Sequence, residues 1–223
     1  TEERKKEDMM LKGLIFDCDG VLSDTEPKFT QGMLDHLHTF GINADPADLD
    51  EFCGMTLRRS CEEVMARYGI KSVSLDQFIQ DELACYEYYF QDEYMQPMPG
   101  LMEFLNYLTE RKIRLGVATS SSTPYIRRLL QLFDIEDLFY TVIAGDQVEN
   151  GKPDPEIYLK AIELMALPAE ELAVIEDSAN GIAAAKKAGL KTIGFKGSRI
   201  VQNTSAADLE VKSYLELMKL DLF

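Results

Sequence analysis

The sequence predicts an α/β protein: a parallel sheet with helices on both faces, carrying an all-helical insert after its first strand. Three observations predict it. After Pro97 and Pro99, short apolar runs alternate with helical patterns at the spacing of βαβ units. An isolated apolar run, Leu11 to Phe16, stands near the start and can join the same sheet. Between the two, from Glu26 to about Tyr94, the pattern is helical throughout.

The elements follow in order. Leu11 to Phe16 closes in an acidic, glycine-containing turn and reads as a buried strand. In the insert, Pro27 sits where a first helical turn begins, and Gly41 and Gly69 follow helical stretches as C-terminal caps. Glu62 to Tyr68 and Phe78 to Phe90 are amphipathic or aromatic-rich, and Tyr86, Tyr88, Tyr89 and Phe90 read as the core of a helical bundle. Strands are then expected at Ile113–Ala118, Tyr140–Ala144, Leu172–Ile175 and Leu190–Phe195. Helices are expected at Tyr125–Phe133, Pro155–Met165 and Ala179–Ala188. The core is therefore discontinuous, 9–24 plus 97–223, with the insert over 25–96 and a charged, disordered tail over 1–8.

Composition narrows the partners. The chain has 223 residues, 46% of them hydrophobic, enough for a packed core. Its apolar runs are too short to span a bilayer, and Thr1 to Met10 lacks the apolar segment of a secretory signal. A net charge of −16 disfavours nucleic acid, which needs a basic footprint. Cys18, Cys53, Cys61 and Cys85 show no metal-binding spacing and read as free thiols of a cytoplasmic protein. His36 and His38, at i, i+2, point to different helix faces and read as surface or cap residues. Nothing indicates an oligomer, so monomer is the default.

In open parallel sheets the ligand sits at the carboxyl ends of the strands, near a switch in strand order. Four reactive clusters fall there. The first strand ends in Asp17-Cys18-Asp19-Gly20, two carboxylates that can face one cavity; alone this is an ordinary acidic turn. The next ends in Thr119-Ser120-Ser121-Ser122, whose hydroxyl and N–H groups suit phosphate oxygens, or simply cap a helix. Lys152, in Gly151-Lys152-Pro153, is singly a surface lysine. Glu176-Asp177-Ser178 suits a hard cation such as Mg²⁺, or an N-cap. Together they supply a nucleophile, an acid/base, a charge clamp and a metal site, as phosphoryl transfer requires.

This ordered set resembles the haloacid dehalogenase superfamily of phosphotransferases: DCDG at Asp17–Gly20, the hydroxyl at Thr119, Lys152 in GKPDP, and Glu176-Asp177. Within it, the chain resembles the β-phosphoglucomutase-like branch with its sugar-phosphate phosphatases. The resemblance implies a Rossmann-like sheet, and makes the insert a small α-helical cap. It implies Asp17 as the nucleophile forming an aspartyl-phosphate and Asp19 as general acid and then base. Thr119 and the Ser120 N–H would bind phosphoryl oxygens, and Lys152 would neutralise charge. Asp17, the Asp19 carbonyl and Asp177 would hold Mg²⁺, with Glu176 a ligand or a ligand's neighbour. The implied substrate is a small phosphorylated metabolite. Mutases of the branch carry a histidine where Phe29 stands and an arginine where Leu57 stands, displaced here to Arg58, so a phosphatase is expected first and a phosphohexomutase second. A non-catalytic metabolite-binding protein is the third reading. Glu26, Phe29, Met33, Gly54, Met55, Thr56 and Arg58 are candidates for lining the site.

Overall fold

The computed structural model describes residues 10–52, 54–89, 91, 95–220 and 222–223. The tail expected over 1–8, Cys53 and Phe90 lie outside the described residues, as do the side chains of Tyr88 and Tyr89.

Near-continuous apolar runs make strands that must be covered on both faces. β1 (Gly13–Phe16), β2 (Arg114–Ala118), β3 (Phe139–Ile143), β4 (Leu172–Glu176), β5 (Lys191–Phe195) and β6 (Leu209–Val211) form one parallel sheet. Its order is β3-β2-β1-β4-β5-β6. The helices are α1 (Glu26–Thr39), α2 (Leu57–Tyr68), α3 (Leu75–Tyr89), α4 (Leu101–Glu110), α5 (Thr123–Leu132), α6 (Glu156–Met165), α7 (Ala179–Lys187) and α8 (Tyr214–Met218).

Strand side chains alternate between two layers. Leu14, Phe16, Val117 and Ile175 pack with α4, α5 and α8 on one face. Ile15 and Val174 pack with α6 and α7 on the other. The insert has a core of its own, in which Met33, Leu37, Val64 and Phe78 meet. The two segments that join insert to core run side by side. The Met98 N–H donates to the Leu22 carbonyl at 2.8 Å, and the Ser23 hydroxyl donates to the Gln96 carbonyl at 2.7 Å.

Three elements lie beyond the sequence reading. β6 and α8 are three and five residues long, too short to show a period. α4 carries Leu101, Phe104, Leu105 and Leu108 at i, i+3, i+4, i+7, a legible helical stripe that the reading leaves out. Two side-chain assignments are corrected. His36 is buried, not a surface residue: its Nδ1 lies 2.7 Å from Glu82 Oε2, itself fully buried, and its ring packs on Phe78. A charged-group partner on the neighbouring helix is what lets a histidine enter this core. Tyr86 does not sit in the bundle core; it is half-buried and lines the cleft beneath the insert. His38 is exposed, and Cys18, Cys61 and Cys85 are unpaired thiols.

Candidate active site

β1 lies between β2 and β4, and the chain winds away from it in opposite directions, so a crevice opens at the carboxyl ends of these three strands. Asp17 is the first residue past β1, and its N–H still donates to the Ile175 carbonyl at 3.0 Å. Gly20 turns the chain directly afterwards. A Cβ there would run into the Asp177 carboxylate, so only glycine lets the acidic turn pass so close to β4's end.

Lys152 is 1% exposed and reaches the crevice floor. Its Nζ donates to Asp17 Oδ1 at 2.6 Å, Glu176 Oε1 at 2.6 Å and the Ala118 carbonyl at 3.0 Å. Glu176 is fully engaged: Tyr158 donates to Oε1 at 2.8 Å, and the Ser178 N–H and hydroxyl donate to Oε2 at 3.1 and 2.9 Å. Asp177 differs. Its Oδ1 is buried with no hydrogen-bond partner among the described residues, and Gln202 reaches only Oδ2, at 3.4 Å.

Asp19 is held by three hydroxyls. Thr25 and Tyr125 donate to Oδ1 at 2.6 and 2.9 Å, and Ser121 to Oδ2 at 2.6 Å. Thr119 is buried beside it, its hydroxyl accepting from the Ser121 N–H at 3.0 Å. The Ser120 hydroxyl donates to the Gly54 carbonyl of the insert at 2.7 Å. Thus Asp17, Asp19, Thr119, Ser120, Lys152, Glu176 and Asp177, spread over 161 positions of sequence, meet at one sheet edge. Thr25, Tyr125, Tyr158 and Gln202 complete the site without having been singled out. Threonine at a helix N-cap, and tyrosine in a first helical turn, carry no sequence signal that separates a site residue from a cap or a core residue.

Four carboxylates share one ammonium here, and the electrostatics follow. Burial raises the Asp17 pKa to about 8, with Glu176 and Asp19 adding to the rise and Lys152 opposing it. Burial also raises Asp19, against its three hydroxyl donors, and raises Asp177 well above the carboxylate range, helped by Glu26 and Glu176. For Lys152 burial alone lowers the pKa, but Asp17 and Glu176 outweigh it and push it up, so the ammonium stays charged.

One carboxylate oxygen each from Asp17, Glu176 and Asp177 lie within 4.8 Å of one another. The unpartnered Asp177 Oδ1 and the hard, all-oxygen donor set fit a divalent cation of the Mg²⁺ kind.

The chain matches the haloacid dehalogenase-like hydrolase family over residues 14–195, which takes in all four clusters. It belongs to that family. As a haloacid dehalogenase-like hydrolase it is an enzyme, of the phosphoric monoester hydrolase kind. It is 34% identical to a phosphorylated carbohydrates phosphatase of Thermotoga maritima over 82% of this chain and 84% of that one. It is 29% identical to a validoxylamine A 7'-phosphate phosphatase of Streptomyces hygroscopicus subsp. limoneus, covering 93% and 96%. A Thermotoga maritima crystal structure described as a candidate beta-phosphoglucomutase superposes with a TM-score of 0.70 at 31% identity, over 94% of this chain and 99% of that one.

The helical insert of this hydrolase roofs the crevice. The cavity between roof and floor measures ≈ 760 Å³, and Glu26, Phe29, Met33, Gly54, Met55, Thr56 and Arg58 all line it. No described helix is long and apolar enough to cross a membrane.

Proposed function

We propose that this enzyme is a Mg²⁺-dependent phosphatase that hydrolyses a small phosphorylated metabolite, a sugar phosphate, through an aspartyl-phosphate on Asp17. The observation that carries it is the buried contact of Asp17 with Lys152 at 2.6 Å, beside a second carboxylate, Asp19, that is held but not ion-paired. One carboxylate is thereby screened for attack on an anion, and the other is placed for proton transfer.

In this reading a carboxylate oxygen of Asp17 attacks phosphorus and the ester P–O bond breaks. Asp19 gives its proton to the departing alcohol oxygen, and its raised pKa favours holding that proton beforehand. Asp19, now a carboxylate, takes a proton from water as that water's oxygen attacks phosphorus. The P–O bond to Asp17 breaks, and inorganic phosphate leaves. The Thr119 hydroxyl and the Ser120 N–H receive the phosphoryl oxygens, and Lys152 neutralises the charge that gathers on them. Asp17 and Asp177 would hold Mg²⁺, which when bound supplies further neutralisation of the phosphoryl oxygens. Both Glu176 oxygens are spent on Lys152, Tyr158 and Ser178, which favours a positioning role over ligation.

The test is phosphate release across a panel of phosphorylated metabolites, with Mg²⁺ and with EDTA. Mg²⁺-dependent release is expected, together with a phosphoryl adduct that accumulates in Asp19→Asn. Inertness toward every ester sinks the reading and leaves the non-catalytic one. The likeness to the candidate beta-phosphoglucomutase favours a second reading, a phosphohexomutase. β-Glucose 1-phosphate decides between them: a mutase yields the 6-phosphate, a phosphatase yields free phosphate. Phe29, where mutases of the branch carry histidine, weighs for the phosphatase.

A further inference from the structure

The proposed phosphatase reading leaves the alcohol part of the substrate open, and the roof of the cleft bears on it. Phe29 of α1, Tyr86 of α3 and Tyr125 of α5 form a continuous aromatic wall. The Phe29 and Tyr86 ring centroids are 5.0 Å apart at 81°, and those of Phe29 and Tyr125 are 6.1 Å apart at 60°. All three line the cavity. The wall starts beside the proton donor, because the Tyr125 hydroxyl bonds Asp19 Oδ1 at 2.9 Å. Carbon atoms next to the ester oxygen therefore meet it first.

The Tyr125 hydroxyl donates to Asp19, and burial, then Glu82, a carboxylate buried inside the insert and tied to His36, pushes the Tyr86 phenol pKa up. Ring surface is what the wall presents. Beyond the wall the roof continues with Met33, Leu57 and Ile79. Arg58, a cation of this roof, is paired with Asp76 at 3.1 Å, and Arg128 of α5 also lines the cavity.

A hexose pressed against this wall would leave the hydroxyls of that face without partners, each costing about 1–3 kcal/mol, while Thr30, Thr56, Ser60 and Arg128 line other parts of the cavity. An apolar skeleton would bury its surface with the usual gain. We propose that the preferred substrates are phosphate monoesters of sugars or other alcohols that present an apolar face, such as deoxy, alkylated or aryl-bearing skeletons, selected by the Phe29–Tyr86–Tyr125 wall. The inference rests on the phosphatase reading only in naming these compounds substrates. The selection itself is a property of binding.

The experiment compares two esters of primary alcohols with similar leaving groups, benzyl phosphate and glucose 6-phosphate, by kcat/KM with Mg²⁺ present. A preference of tenfold or more for benzyl phosphate is expected, shrinking by about tenfold in Phe29→Ala, chiefly through KM. Calorimetric titration with benzylphosphonate, which has no ester bond to cleave, reads the same selection without turnover. Binding that is tight in the native enzyme and weakened in Phe29→Ala is expected. Equal or reversed kcat/KM for the two esters overturns the inference while leaving the phosphatase reading standing. So does a ratio, or a phosphonate affinity, that Phe29→Ala leaves unchanged. Selective phosphonate binding without hydrolysis of any ester would do the opposite. If Phe29→Ala does not fold, the native pair of esters alone still decides.

Discussion

At the floor of the cleft, four carboxylates crowd around one ammonium, and six of their eight oxygens have a named donor. Above it the wall is aromatic and aliphatic, built from Phe29 and Tyr86 of the insert and Tyr125 of α5, whose hydroxyl is donated to Asp19. The floor is held by directional bonds between strand ends of a rigid sheet, so its geometry tolerates little change. The roof belongs to a helical bundle with its own core, joined to the sheet by two short segments. Charge chemistry is thus assigned to the part that cannot move, and selection to the part that can be exchanged.

The comparison breaks first at Asp17. Asp17→Asn keeps the shape and removes the attacking charge. We expect turnover to fall by about 10³-fold or more, with the thermal transition and circular dichroism essentially native. Turnover within tenfold of native would show that the floor does not supply the nucleophile.

Lys152→Met tests whether the floor is one coupled unit. Above about pH 8, where Asp17 is ionised, removing the ammonium that bonds them leaves Asp17 and Glu176 buried with no cationic partner among the described residues, and breaking such a pair costs about 3–5 kcal/mol. The urea midpoint in EDTA at about pH 9 should fall accordingly. An unchanged midpoint would mean that the carboxylates had neutralised themselves without the lysine.

The two regions also differ in how they show in sequence. The floor is legible because its carboxylates end strands, where an apolar run stops at a charge, and Lys152 stands in a short loop pinned between glycine and proline before a helix. That lysine proved 1% exposed. The donors around Asp19 were not legible, since Tyr125 in a helical pattern looks like any core aromatic. The same ambiguity misassigned His36 and Tyr86. Helical periodicity says which face is buried, but not whether the bundle, or the crevice under it, does the burying. The sheet was read strand by strand except for β6, whose three residues are below the length at which alternation can register.

Protonation sharpens the contrast further. With an Asp17 pKa near 8 against an ordinary value of 3.8, the metal-free folded state holds a proton that the unfolded chain has lost. The unfolded state then binds fewer protons, so stability falls as pH rises from about 4 to about 8. Glu156, lowered to about 2 by the Lys160 ammonium and the Asn150 and Glu149 N–H groups, acts with the opposite sign. Its contribution is present above its ordinary pKa of 4.5 and lost as the pH falls below it. In EDTA we therefore expect greater stability at pH 5.5 than at pH 8, by about 1–3 kcal/mol, a scale set by single shifted carboxylates. Mg²⁺ should stabilise more at pH 8 than at pH 5.5, because binding competes with that proton. A metal-free protein whose melting temperature rises from pH 5.5 to 8 would contradict the raised pKa.

The smallest effect concerns how closely roof meets floor. Gly54 has φ +74°, its carbonyl accepts from Ser120, and a Cβ on it would strike the Ser178 hydroxyl. Gly54→Ala therefore combines left-handed strain with a clash across the cleft. Gly41, at the same φ of +74°, has nothing within 4 Å of its would-be Cβ, so Gly41→Ala carries the strain alone, about 1–2 kcal/mol. Both variants should lose stability, Gly54→Ala at least as much as Gly41→Ala. Only Gly54→Ala should also lose kcat/KM, by about tenfold, equivalent to about 1.4 kcal/mol of barrier. If the two variants lose activity equally, the approach of Gly54 to Ser178 has no part in closing the site, and the roof works as a wall without working as a lid.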